Sequence, residues 1–161
     1  MKNPPVGLLA AIHAESISPR SWVAWADREI AKYDQPPMWV IDLALANDFR
    51  DAGKAIRESI EESAELPSRE LDEAVLGLIA LKYFDGEIDF RQFLLRAGDH
   101  TDPSGCSLDC EFFYHHLQRF ESAEDPSEYE RQAGLEIRQD LKQAIAFGEY
   151  ANRQIRSILG Q

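Results

Sequence analysis

Only two of the 161 residues are cysteine, no apolar run nears the ~20 residues of a membrane-spanning helix, and no glycine-rich phosphate loop or G-x-S-x-G nucleophile turn occurs. Two cysteines are too few for a disulfide scaffold, so Cys106 and Cys110 are expected as reduced thiols. The start, Met1-Lys2-Asn3-Pro4-Pro5 followed by a short apolar run from Val6 to Ile12, lacks the apolar core and cleavage site of a signal peptide and points to a cytoplasmic chain. Basic residues are scarce as well, with 17 Lys and Arg against 29 Asp and Glu for a formal net charge of −12. That balance disfavours nucleic acid and anionic membranes, which are bound by displacing counterions with Lys and Arg.

Strand signals are also missing, because no segment alternates apolar and polar residues with β-branched enrichment. Nearly every stretch instead repeats with a period of ~3.6 residues, so the chain reads as all-α, one domain over 1–161, an irregular bundle of seven or eight helices with a long C-terminal helix. Ser18-Pro19 starts a helix that places Trp22, Ala26, Ile30 and Tyr33 on one stripe. A third helix follows Pro36-Pro37, a fourth is capped by Asn47, and the segment Leu71 to Phe84 is apolar enough to be the most buried. After the turn at Asp85-Gly86, Asp89 caps a short helix that Gly98 is expected to close. Residues 99–107 form a loop, a helix follows from Leu108 to Phe120, and Ser127 with Glu130 reads as a capping box. From there a single helix is expected over 128–158, with Gly134 or Gly148 marking a bend or a close helix contact.

Three patterns resemble chemistry. Phe84 to Phe93 has the glycine and isoleucine of an EF-hand loop, but aligned on Gly86 the ligand positions hold Leu81, Tyr83 and Gln92, and calcium requires hard oxygen donors there. Glu61-Glu62-Ser63-Ala64-Glu65 matches the E-E-x-x-E with which all-α nucleotide pyrophosphohydrolases gather magnesium, yet the second acidic pair those enzymes use is absent downstream. Cys106, Cys110, His115 and His116 offer the thiolate and imidazole donors zinc prefers, at a spacing unlike the familiar zinc knuckles. A metal-dependent enzyme or a zinc-binding helical protein is thus the alternative function. The leading reading assigns no catalytic residue, no metal and no cofactor.

The acidic residues are unevenly placed. Residues 1–57 net 0, 58–73 net −6, 74–98 net 0, 99–130 net −8 and 131–161 net +2. Glu58, Glu61, Glu62 and Glu65 fall at i, i+3, i+4 and i+7 on one helix face, where close pairs repel by ~0.2–0.5 kcal/mol, and they lie toward a helix C-terminus, where the macrodipole disfavours anions. Glu121, Glu124, Asp125 and Glu128 lie near a helix N-terminus, where the dipole and capping favour them. Clustered like charge opposes folding by self-repulsion, and a basic partner is the simplest reason for it. These eight residues are the expected partner-binding set, with Tyr114, Tyr129 or Phe113 as aromatic anchors. The +2 of the C-terminal stretch would complement an acidic surface and allows a homodimer.

Ser18-Pro19-Arg20-Ser21-Trp22, Trp25-Ala26-Asp27 with Ile30, and Pro36-Pro37-Met38-Trp39-Val40-Ile41-Asp42-Leu43 together resemble the opening of small acidic all-helical immunity proteins encoded beside bacterial polymorphic toxins. The resemblance covers about a quarter of the chain and is a packing pattern, so it transfers no binding residue. What it implies is a non-enzymatic inhibitor that binds its cognate toxin domain. An acidic helix face would occupy a basic, nucleic-acid-cleaving cleft as a phosphate mimic.

Overall fold

The computed structural model describes residues 4–61 and 68–160. Among the described residues there are nine α-helices and no strand: α1 Val6–His13, α2 Pro19–Ile30, α3 Met38–Leu45, α4 Phe49–Glu61, α5 Ser68–Phe84, α6 Phe90–Thr101, α7 Cys110–Glu121, α8 Pro126–Asp140 and α9 Lys142–Leu159. The all-helical architecture read from the 3.6 period is the one that forms. The helices group into two compact units, Met1–Pro67 with Tyr150–Gln161, and Ser68–Glu149.

In the first unit, α1 is apolar all round and buried from Gly7 to Ile12. It ends in a Schellman turn in which the Ser16 amide donates to Ala11 O (2.7 Å) and the Glu15 amide to Ile12 O (3.0 Å). Glu15 occupies the left-handed position at φ 51°, where glycine is usual. The Gly7 amide donates to Gln154 Oε1 at 2.9 Å, and a side chain on Gly7 would run into the Ala151 carbonyl, so α1 and the end of α9 lie almost backbone to backbone. Ser18 caps α2 as expected, accepting from the Ser21 amide. Trp22 sets its ring edge-on to Phe49 (5.0 Å) and Trp25 stacks on Trp39 (5.9 Å). The second helix stops at Ile30, so Tyr33 lies beyond it and is 40% exposed, off the buried stripe expected for it. The cap of α4 is Asp48 in place of Asn47, its Oδ1 accepting from the Asp51 amide at 2.8 Å.

The second unit is built round α5, in which every residue from 73 to 80 is buried. At Gly77 this helix meets α9. A Cβ on Gly77 would collide with the Ala144 carbonyl, and one on Gly148 would stand 2.6 Å from the Gly77 carbonyl carbon. The close helix contact expected of Gly134 or Gly148 is thus at Gly148. Tyr83 stacks on Phe93 (5.0 Å), which is edge-on to Phe113 (6.1 Å), while Phe90 is edge-on to Phe120 (5.2 Å). Gly86 takes φ 75° in the turn after α5, and Asp89 with Gln92 forms a reciprocal capping box on α6.

Four boundaries differ from the sequence reading. Gly98 does not close α6, which runs on to Thr101; the Tyr114 ring crosses α6 there, so the glycine serves a close approach. The next helix begins at Cys110, because Asp109 rather than the residues before Leu108 supplies the cap. Asp125, not Ser127, caps α8, with Pro126 at its first position, and Glu130 accepts from the Tyr83 hydroxyl (3.0 Å) instead of reaching back to close a box. The single C-terminal helix is interrupted at the buried Leu141 (φ −86°, ψ 6°), which raises the helix number to nine. Hydrogen bonds continue on both sides of Leu141, to Ile137 O and from the Ile145 amide, so the break is a local tightening without glycine or proline to announce it.

Candidate functional site

The expected partner-binding carboxylates divide into two groups. Glu62 and Glu65 lie outside the described residues, as do the side chains of Glu58 and Glu61 on α4. The E-E-x-x-E pattern falls on the same stretch. The second group is visible and largely engaged. Glu121 Oε1 accepts from Arg91 Nε (2.8 Å), and Glu128 takes a bidentate pair from Arg131 (2.9 and 2.7 Å) with Gln132 Nε2 at 2.6 Å. Asp125 is spent on capping α8, while Glu124 is exposed. Of the expected anchors, Phe113 is fully buried core and offers no surface. Tyr129 is half-buried and bonded to His116 Nδ1 (2.8 Å), and Tyr114 is 37% exposed.

Carboxylates cluster instead where α6 ends and α7 begins. Asp99 lies in the last turn of α6 and Asp102 is its C-cap, where the helix dipole opposes a negative charge. Asp109 caps α7 and Glu111 is exposed in its first turn, where the dipole favours acids. Tyr114 joins the two ends: its hydroxyl donates to Asp99 Oδ1 at 2.7 Å. That hydrogen bond, followed by desolvation and the charges of Asp99 and Asp102, pushes the phenol up to about 12. Cys110 Sγ donates to Asp102 Oδ1 at 3.4 Å, and its thiol is raised by desolvation, by that bond and by the charges of Asp102 and Asp109. The largest side-chain charges acting on Tyr114 and Cys110 are thus negative. The result is an acidic patch with a hydroxyl-tipped aromatic ring at its centre, bound to a carboxylate that holds it in place.

The loop beneath this patch is tied to α5. The Gly105 amide donates to Asp72 Oδ2 (2.8 Å) and the Ser107 amide to Glu73 Oε1 (2.6 Å), and His100 Nε2 sits 2.9 Å from Asp72 O. Glu73 is fully buried, and its second oxygen has no partner among the described residues. Cys106 Sγ lies 3.8 Å from His100 Nε2, the nearest the chain comes to a thiol–imidazole pair. Burial, reinforced by the charges of Glu73 and Asp72, pushes that thiol up to about 11, and a thiol held protonated at neutral pH is a weak nucleophile. The zinc expectation at Cys106, Cys110 and His115 is not assembled: Cys106 faces His100, Cys110 faces Asp102, and His115 lies against His116. Among the described residues no three His, Cys, Asp or Glu side chains converge as metal ligands.

Sequence reasoning placed Asp99, Asp102, Asp109 and Glu111 in the acidic 99–130 stretch but did not select them. The available signal was the position of Asp99 and Asp102 at a helix C-terminus, hidden because α6 was expected to stop at Gly98. Comparison with protein families, curated proteins and solved structures found no match to this chain. No helix among the described residues is long and apolar enough to cross a membrane.

Proposed function

We propose that this chain is a non-enzymatic cytoplasmic binding protein that neutralises a basic protein partner, in the manner of an immunity protein covering its toxin domain. The observation that carries this reading is the set of carboxylates around Tyr114. Asp99 and Asp102 stand against the helix dipole and the largest charges acting on Tyr114 beside them are negative, whereas Glu121 and Glu128 are paired with arginines of their own. An acidic surface of this kind steers a cationic partner and sets its register, and an exposed tyrosine already oriented by a hydrogen bond gives a contact of low entropy cost.

The test is association with the toxin domain that this reading expects to be encoded beside the gene, measured by stopped flow at two salt concentrations. Asp99→Lys with Asp102→Lys is expected to slow association by about tenfold or more at low salt and to flatten its salt dependence, and Tyr114→Ala to speed dissociation. Glu128→Lys, which breaks an internal pair, is expected to change association by less than about threefold. Absence of a complex at micromolar concentrations, or association unaltered by the double reversal, overturns the proposal.

A further inference from the structure

The first unit carries a feature opposite in sign to the rest of this acidic chain. A cavity of about 740 Å³ opens between the end of α1 and the first three turns of α4, within the ~300–1,000 Å³ typical of small-molecule sites. Its wall includes Arg50, Lys54 and Arg57, spaced i, i+4 and i+7 on one face of α4, with His13 opposite. Like charges at that spacing repel, so the stripe opposes the helix that carries it.

Two carboxylates, Asp48 and Asp51, line the same cavity, so its cations outnumber its acids three to two. Asp48 caps α4 through the Asp51 amide. Asp51 lies one turn before Lys54 and lines a second hollow of about 320 Å³ with it. Among the residues whose side chains are described, Arg50 and Arg57 are in no ion pair. Their Cα atoms are ~10 Å apart along the helix axis at ~1.5 Å per residue, a separation two flexible guanidinium forks close on one extended anion better than on a compact one. The floor is Gly53, where an added Cβ would stand 3.5 Å from the His13 ring, so the absent side chain leaves the imidazole edge open to the cavity. Phe49, braced edge-on by Trp22, supplies an apolar wall.

We infer that this cavity binds an extended phosphate-type anion, a diphosphate or a diphosphate ester, gripped by Arg50 and Arg57 with His13 as a third contact. Three cations against two carboxylates leave the lining net positive, which disfavours a metal ion, and a cavity of this size suits a small ligand. The site is independent of the acidic patch, so the two proposals stand or fall separately.

Calorimetric titration of the full chain with inorganic pyrophosphate, and separately with inorganic phosphate, tests it. Pyrophosphate is expected to bind in the tens of micromolar, phosphate at least about tenfold more weakly, and Arg50→Gln or Arg57→Gln to weaken pyrophosphate by about tenfold each. The His13 imidazole resonances are expected to shift during the titration. Both arginines are exposed, so these variants should keep the circular dichroism of the parent. Gly53→Leu, which fills the floor while sparing every cation, should abolish binding. No binding at about 1 mM pyrophosphate, equal affinity for the two anions, or affinity indifferent to both arginine substitutions overturns the assignment. Tighter binding of an oligoglutamate peptide than of pyrophosphate would also overturn it, since the occupant would then be an acidic protein segment.

Discussion

Replacing Gly148 by alanine isolates the packing of α5 against α9. At an exposed helical position the change would stabilise by about 1 kcal/mol, because alanine is the better helix former. Here the added methyl meets backbone on the facing helix, with the Gly77 carbonyl carbon at 2.6 Å and the Leu78 amide nitrogen at 2.8 Å, where ordinary contact begins at 3.4 Å. Backbone cannot rotate aside as a side chain can, so the helices must separate by several tenths of an ångström. A gap of ~0.5–1 Å forfeits a quarter to a half of each dispersion contact along the seam, and overpacking of this kind costs ~1–3 kcal/mol. The seam involves the most buried helix of the second unit, which favours the upper part of that range. We expect a net loss of about 2 kcal/mol for Gly148→Ala and more for Gly77→Ala, or a fall of roughly 2–4 °C per kcal/mol in the thermal midpoint. Gly134→Ala is the control: its Cβ would meet the Tyr83 hydroxyl at 3.4 Å, and the substitution should be neutral or stabilising. Urea unfolding followed by circular dichroism, with calorimetry for the midpoint, measures all three. A Gly148→Ala protein as stable as the parent would refute the backbone contact.

Three further outcomes follow from the same geometry. Glu15→Gly, at the left-handed position closing α1, should raise stability by about 0.5–1 kcal/mol in urea unfolding, and Glu15→Val should lower it. Tyr83→Phe keeps the stack on Phe93 but removes the hydrogen bond to Glu130, so a loss of about 1 kcal/mol is expected. The Cys106 thiol is raised from 9.0 to about 11, so the unfolded chain releases this proton first and stability should fall as pH rises between those values. Cys106→Ala should remove that part of the decline, and alkylation of Cys106 in the native protein should be slow at neutral pH.

The periodic pattern gave the helices because each buried face is continuous. Ser18-Pro19 and Asp89 with Gln92 were readable because capping is local chemistry, decided within four residues. Leu141 was not, because its tightened turn arises from tertiary packing of a residue that looks like any other leucine in the stripe. Gly98 was misread for a related reason: a glycine that ends a helix and one that admits a neighbouring ring are the same letter, and only Tyr114 across the gap separates them. The sites were less legible still. Counting charge by segment found the acidic stretch but not which carboxylates have internal partners, since Arg91 is thirty residues from Glu121. The same counting gave zero for residues 1–57 and hid the cationic stripe of α4, because its acids and bases cancel in number while occupying different positions.

All three tryptophans, Trp22, Trp25 and Trp39, lie in the first unit with Tyr33 and Tyr150, and the other three of the five tyrosines, Tyr83, Tyr114 and Tyr129, lie in the second. Red-edge excitation therefore reports on one unit alone, and tyrosine emission is weighted toward the other. The chain thus carries its own pair of optical channels. Superimposing their melting curves shows directly whether the two halves lose their structure in one cooperative step or in sequence.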